Sequence, residues 1–473
     1  MLDELRPALI VAQRETRDQL RDWRIIFPVL GLTVFFPFLM NFTAEQALNF
    51  VRQYGASIIG ERMVPFLLMI VGFFPISVSM VIALESFVGE KERGSIEPLL
   101  DTPLKDWQLY LGKLLSSTVP PLIASAMGMS VYIAGLVRSG IPLPEAPLLL
   151  QIISLTVVQA VLMVSGAVVV STQTTSVRAA NLLASFIIIP VALLIQAESV
   201  IMFWGDYNTL WLVVVAVVLL TFLLVRVGLA HFQREQLLGR EIDVLNIRWA
   251  VKLLWNGFRG EARSIDAWYR KTLWPTLQRL ALPVLMVAVL LVISVGLGWT
   301  QVERFNLHAN DITSPESIKE NLLTLTEAAP LGDFGLVLTI FWQNLRALGI
   351  ALLLGMITFG ILGMLPSMLT LGIMGYLMGV LAQRGFSAGL YFAGFILPHG
   401  LLEIPAVVLA TAAVLRMGAI LATPTPDRTF MEVWLACLAD WFKVMIGLVI
   451  PLLFAAAMVE AWFTPQVAIW MMR

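Results

Sequence analysis

The sequence predicts an all-α polytopic membrane protein of about eleven transmembrane helices in two bundles, six plus five, with a cytoplasmic N-terminus. Three observations predict it. Hydrophobic residues make up 59% of the chain and charged residues 13%, with a mean hydropathy of +0.85, whereas a soluble domain carries roughly 25% charged residues. Apolar runs of membrane-spanning length recur along the whole chain. The basic residues between those runs alternate in density, as they do when loops alternate sides of a bilayer.

The runs of the first half fall near 25–42, 63–86, 110–137, 147–171, 179–201 and 208–231. Those of the second half fall near 281–299, 333–361, 364–382, 387–415 and 434–463. Each holds about 18 or more apolar residues, the length that crosses a hydrocarbon core as a helix. The run 387–415 carries Pro398 and Pro405. Each proline removes a backbone donor, so this helix is expected to break or kink.

Charge sets the orientation. The segment 232–280 holds nine Lys or Arg residues and is assigned to the cytoplasm. The loop 300–331 holds only Arg304 and Lys319 against five acidic residues and is assigned to the outside. Counting spans back from 232 then puts the N-terminus inside, with Arg6, Arg14, Arg17, Arg21 and Arg24. No cleavable signal peptide is visible ahead of the first run. The single cysteine, Cys437, allows no intramolecular disulfide. The net charge of -1 gives no reason to expect a nucleic-acid partner. The chain divides into a first domain over 1–245, a basic, Trp-rich cytoplasmic linker over 246–280, and a second domain over 281–473. The linker mixes Trp249, Trp255, Trp268, Tyr269 and Trp274 with its basic residues. That mixture fits a helix lying on the membrane surface or a solvated connector.

Before the first span, Leu5, Leu9, Ala12, Thr16, Leu20 and Trp23 recur at helical spacing, with arginines on another face. This is an amphipathic helix. After the second span comes a dense charged stretch: Glu90-Lys91-Glu92-Arg93 lies between Gly89 and Gly94, followed by Ser95, Ile96, Glu97, Pro98, Leu99 and Leu100. A plain connector needs no such density of mixed charge. A compact charged element there is suited to docking a soluble partner.

From Glu85 through Lys113 the chain resembles the permease subunits of type-2 ABC exporters, as do Ser171 through Ser185 and Phe232 through Asp243. The resemblance covers roughly residues 1–245. It implies that Glu90, Lys91, Glu92, Arg93, Gly94, Glu97, Pro98, Leu99 and Leu100 lie in the coupling helix that receives motion from an ATP-binding subunit. It also implies that the N-terminal amphipathic segment is the family's interfacial elbow helix. A P-loop needs a glycine five positions before the Gly of its Gly-Lys and a Ser or Thr after it. Gly112-Lys113-Leu114 meets neither condition. ATP is therefore expected on a separate ABC ATP-binding subunit, with no cofactor on this chain. A second permease copy or homologue is expected to complete the pathway.

The second half carries different signals. Gly375 and Gly379 put small residues on one helix face, a device for close helix packing. His399 and Glu403 lie one helical turn apart within Leu397-Pro398-His399-Gly400-Leu401-Leu402-Glu403-Ile404-Pro405. An unpaired carboxylate inside a membrane costs about 2.5–3.5 kcal/mol. Glu403 should therefore pair with His399, or with Asn344, Asp440 or Lys443. Asn344, His399, Glu403 and Glu460 are taken as an intramembrane polar site. Three readings of it stand open: structural glue, a proton, ion or substrate site, or a catalytic metal site. A metal centre would need Glu403 plus Glu460 or Asp440, and the sequence alone assigns no metal and no catalytic residue. This half resembles the stage II sporulation protein M family through Asn344-Leu345-Arg346, the glycine-rich span 355–379, the His399 stretch and Glu460 to Pro465.

The expected function is a permease subunit of an ATP-driven transporter, of exporter type, in the bacterial plasma membrane and not itself an enzyme. The alternatives are a scaffold for cell-envelope remodelling and a membrane-embedded metal-dependent hydrolase.

Overall fold

The computed structural model describes residues 2–54, 57–94, 101–174, 176–204, 207–232, 247–303, 316, 319–320, 324, 333–421, 423 and 430–472. Every regular element among them is helical. Ten of the helices are long and apolar enough to cross a membrane, with Ile187–Met202 a shorter apolar helix beside them. The chain forms two compact units, Met1–Leu245 and Asn246–Arg473.

In the first unit, α1 (Leu2–Gln19) leads into α2 (Trp23–Tyr54) and α3 (Ser57–Arg93). The unit continues with α4 (Asp106–Arg138), α5 (Ala146–Gln173), α6 (Val177–Leu183), α7 (Ser185–Trp204) and α8 (Tyr207–His231). Helix α3 is the hub and packs on α2, α4 and α5. Its side chains Leu68, Met69, Ile76, Met80, Leu84 and Phe87 are almost wholly enclosed. Helix α2 turns the opposite way, leaving Phe27, Val34, Phe35, Phe38 and Phe42 exposed. An apolar row without a protein partner is the face that lipid solvates.

Helix α1 lies along α4. Its apolar stripe divides between two environments. Ala8 and Ala12 are buried, whereas Leu9 and Ile10 are exposed, as are Leu20 and Trp23 beyond its end. Gly112 permits the close crossing: a Cβ there would sit 2.8 Å from the Val11 side chain and 2.9 Å from the Ala8 carbonyl.

In the second unit, α9 (Ile247–Arg259), α10 (Ile265–Trp268), a π turn at Tyr269–Leu273 and α11 (Trp274–Gln278) precede the spans. The spans are α12 (Ala281–Thr300), α13 (Phe334–Ile357), α14 (Leu365–Gln383), then α15 (Ala388–Tyr391) running through a π turn into α16 (Leu397–Leu421). Last come α17 (Phe430–Val444), α18 (Ile450–Met458) and α19 (Thr464–Met472), with π turns between them at Met445–Val449 and Val459–Phe463.

The stretch read as a linker is helical and belongs to this second unit. Gly257 packs on Ala439, the Tyr269 hydroxyl donates to the Gly447 carbonyl at 2.9 Å, and Leu273 is 2% exposed beside Val444 and Met445. Its aromatic residues thus anchor it to α17 and the turn that follows. Ile247, Val251 and Trp255 form an exposed row on α9, with Arg248 and Lys252 exposed beside them, the pattern of an interfacial helix.

The expected break in the run 387–415 is not present. The α-helix continues through Pro405. Ahead of Pro398 the chain widens into the π turn Phe392–Ile396, in which the Leu397 N–H donates to the Phe392 carbonyl. The same device stands two residues before Pro275, Pro451 and Pro465. A proline ring crowds the carbonyl four residues back and offers it no N–H. Widening by one residue makes room while the neighbouring donor stays bonded.

Helices α12 and α14 make the closest crossing. Gly375 faces the Val295 carbonyl and Gly379 faces Val302 and Trp299, so a Cβ on either would overlap the neighbour. Gly298 and Gly372 meet in the same way. The Ser294 hydroxyl adds a bond to the Met368 carbonyl at 2.5 Å.

Candidate functional site

Two places concentrate chemistry, one in each unit.

In the first, α3 ends at Arg93, and Gly94 closes it with φ +68, a conformation a side chain would strain. The last turn is held from three directions. The Phe87 and Val88 N–H groups both reach Ser171 Oγ at 3.0 Å. Lys91 Nζ donates to the carbonyls of Thr172 at 3.0 Å and Thr174 at 2.9 Å, groups that the end of α5 leaves without helical partners. Glu92 Oε1 accepts from the Val177 N–H at 2.7 Å, at the start of α6. This places a carboxylate at a helix N-terminus and a cation at a helix C-terminus, the favourable sense for both dipoles.

Glu90 turns inward. Lys113 Nζ on α4 lies 3.3 Å from Glu90 Oε1 and 3.2 Å from Glu15 Oε1 on α1, with 2% of the lysine side chain exposed. One enclosed ammonium therefore joins the elbow-like helix, the end of α3 and the start of α4. Gln108 Nε2 adds a bond to the Glu4 carbonyl at 2.7 Å, fixing α1 at its other end.

The sequence reading took Glu90 to Arg93 as a docking element. The structure uses Glu90, Lys91 and Glu92 in bonds within the chain and leaves Arg93 exposed. Glu97, Pro98, Leu99 and Leu100 lie outside the described residues, as does nearly all of the Phe232–Asp243 stretch. Lys113 stood in the sequence only as the end of a motif, and its role has no local signature.

The sequence reading also passed over Glu198. It is 0% exposed on α7, and Gln159 Nε2 on α5 donates to both its oxygens at 2.8 and 2.7 Å. A lone carboxylate inside an apolar run was the signal that could have found it.

In the second unit, His399 and Glu403 lie on the first turns of α16, with Nε2 3.9 Å from Glu403 Oε2. Glu460 joins them from the π turn before α19, and ligand atoms of all three lie within 4.8 Å of one another. His399 Nδ1 is 3.2 Å from Thr464 Oγ1, and that hydroxyl donates to the Val459 carbonyl at 3.2 Å. Glu403 also borders a cavity of about 70 Å³ with Asn344, Ser367, Thr370 and Leu371. The four residues of the expected polar site thus share one region, with Asn344 and Glu403 lining the same cavity. Asp440 and Lys443, the other partners considered for Glu403, bond elsewhere. Asp440 accepts from Arg416 at 2.9 Å and from Lys443 at 2.7 Å.

Two units of apolar helices, the first with ion pairs clustered at the end of α3 and the second with a partly buried polar trio, define a polytopic membrane protein. The chain belongs to the ABC-2 family of transporter proteins, whose family model matches residues 9–297. The family model for stage II sporulation protein M matches residues 287–465, so the chain is a fusion of the two. The first match runs past residue 245 and through the aromatic helices of the second unit. No curated protein and no solved structure matches the chain. The family makes this protein a transporter membrane subunit.

Proposed function

We propose that the chain is the permease of an ATP-driven exporter, and that a separate ATP-binding subunit docks on the segment that follows Gly94. The observation that carries this reading is Lys113. By joining α1, α3 and α4 it makes one rigid block of the three helices that flank the segment 94–105. A push delivered to that segment then moves two spans and the N-terminal helix together, instead of being absorbed by a flexible end. The bonds from Lys91 and Glu92 extend the block to α5 and α6. In this arrangement the N-terminus, residues 90–105 and the basic helix α9 face the cytoplasm of a bacterial plasma membrane. A second permease copy or a homologue completes the pathway. ATP binds the partner subunit.

The test is affinity purification of the full-length chain from native membranes, read by mass spectrometry. An ATP-binding cassette protein is expected with it. Charge reversal at Arg93 and Glu97 should release that protein without lowering the melting temperature of the permease. If no such protein accompanies the chain, or the reversed variant retains it fully, the coupling reading fails. A scaffold that recruits other envelope proteins would then take its place.

A further inference from the structure

The trio in the second unit has no role in that coupling, and its geometry is that of a ligand set. We propose that His399, Glu403 and Glu460 bind a divalent transition-metal cation, with zinc the ion best matched to one imidazole and two carboxylates. The proposal stands whether or not the transport reading does.

The first argument is the histidine's proton. Thr464 Oγ1 lies 3.2 Å from both the Val459 carbonyl and His399 Nδ1. When its single hydroxyl hydrogen goes to the carbonyl, Oγ1 accepts from Nδ1 and the neutral ring carries its hydrogen there. That leaves the Nε2 lone pair facing Glu403 Oε2 at 3.9 Å. With Glu403 ionised, two acceptors face each other there, and a cation satisfies both. A polar group holding the far nitrogen of a metal-binding histidine is the usual means of fixing its tautomer and direction.

The second argument is charge. Two carboxylates and a neutral imidazole carry two negative charges inside an apolar bundle. A divalent cation cancels both, whereas one shared proton leaves a charge that the surroundings do not solvate. Asp440 shows how this fold treats an acid that is meant to stay ionised: it is given Arg416 and Lys443. No lysine or arginine reaches the trio among the contacts of the described residues.

The third argument is reach and room. Ligands on a zinc ion sit roughly 2.0–2.2 Å from it. Donor atoms already within 4.8 Å of one another need only small side-chain movements to converge. Three protein ligands leave a coordination position open. A cavity that Glu403 lines together with Asn344 is large enough for water.

The test uses the purified full-length chain in detergent, loaded with zinc, dialysed free of unbound metal, and measured by elemental analysis. One zinc per chain is expected. Cobalt in its place should give the visible absorption of a low-coordinate site. His399→Ala and Glu460→Gln should each lose the metal. Thr464→Val, which removes only the supporting bond, should weaken binding by about 10–100-fold. Glu460→Gln is nearly isosteric, so its melting curve and elution profile show whether lost metal reflects lost folding. Metal-free wild-type protein after loading would overturn the proposal. So would Glu460→Gln retaining zinc at the wild-type level, and the trio would then be a hydrogen-bonded link between α16 and α19.

Discussion

Lys113 and Glu15 form an ion pair at 3.2 Å in which only 2% of the lysine side chain is exposed. The lysine has a second acid, Glu90, at 3.3 Å. The arrangement is redundant on the acid side and has no substitute on the basic side. Glu15→Gln or Glu90→Gln alone leaves Lys113 a counterion, and each should cost about 1 kcal/mol. The double variant leaves an enclosed ammonium without a counterion, which costs about 3–5 kcal/mol. The two changes should therefore be strongly non-additive in thermal unfolding of the purified protein. Simple additivity would show that the three groups do not act as a unit.

The glycine crossing of α12 and α14 makes a sharper contrast. Gly375→Ala adds a Cβ into the Val295 backbone, which cannot rotate away. Overpacking of this kind costs about 1–3 kcal/mol. Gly296→Ala adds the same atom where nothing lies within 4 Å. There the helix-propensity gain of about 1 kcal/mol is free to appear. The two alanines should shift the melting temperature in opposite directions. A loss of similar size for both would mean that close packing is not what Gly375 provides.

The spans were legible because an apolar run needs no partner to be recognised: its length alone sets it against the bilayer. His399 and Glu403 were legible for a similar reason, since a single helix turn relates them. Glu460 was visible as an acid near the end of a span, but its place beside them depends on the π turn at Val459–Phe463. Prolines announced a disturbance and not its form. Pro398 reads as a break, while the helix keeps its continuity by widening before it. Contacts between distant side chains left least trace. Arg416 carries no local sign of its partner, yet it takes Asp440 and so removes it from the candidates for Glu403. The charges at Glu90 to Glu92 read as a surface because density of charge usually means solvent. Their partners are backbone groups and a lysine from other helices, which composition does not encode.

The Arg416–Asp440–Lys443 cluster predicts an asymmetry opposite to that of Lys113. Here one acid serves two cations, at 2.9 and 2.7 Å. Arg416→Gln or Lys443→Gln leaves Asp440 still paired and should cost about 1 kcal/mol. Asp440→Asn leaves two neighbouring cations uncompensated in a partly enclosed site, and about 3–5 kcal/mol is expected. Thermal unfolding of the three variants side by side checks it. If Asp440→Asn is no worse than the other two, both cations must reach water or lipid headgroups on their own.

Glu198 and Gln159 test whether an enclosed carboxylate in the first unit is structural or is kept for transport. Glu198 is 0% exposed, and Gln159 Nε2 donates to both its oxygens. Gln159→Leu strips both donors from the acid and should be the most damaging single change at the pair. Glu198→Leu instead leaves an amide without its acceptor, a loss of about 1–3 kcal/mol. Glu198→Gln keeps the shape and one acceptor oxygen but turns the other into a donor facing Gln159 Nε2, so a structural role predicts a modest loss of melting stability and unchanged transport. A transport role predicts the same melting with transport lost, because an amide cannot exchange a proton or hold a cation as a carboxylate does. Measuring melting and transport on the Glu198→Gln variant separates the two roles.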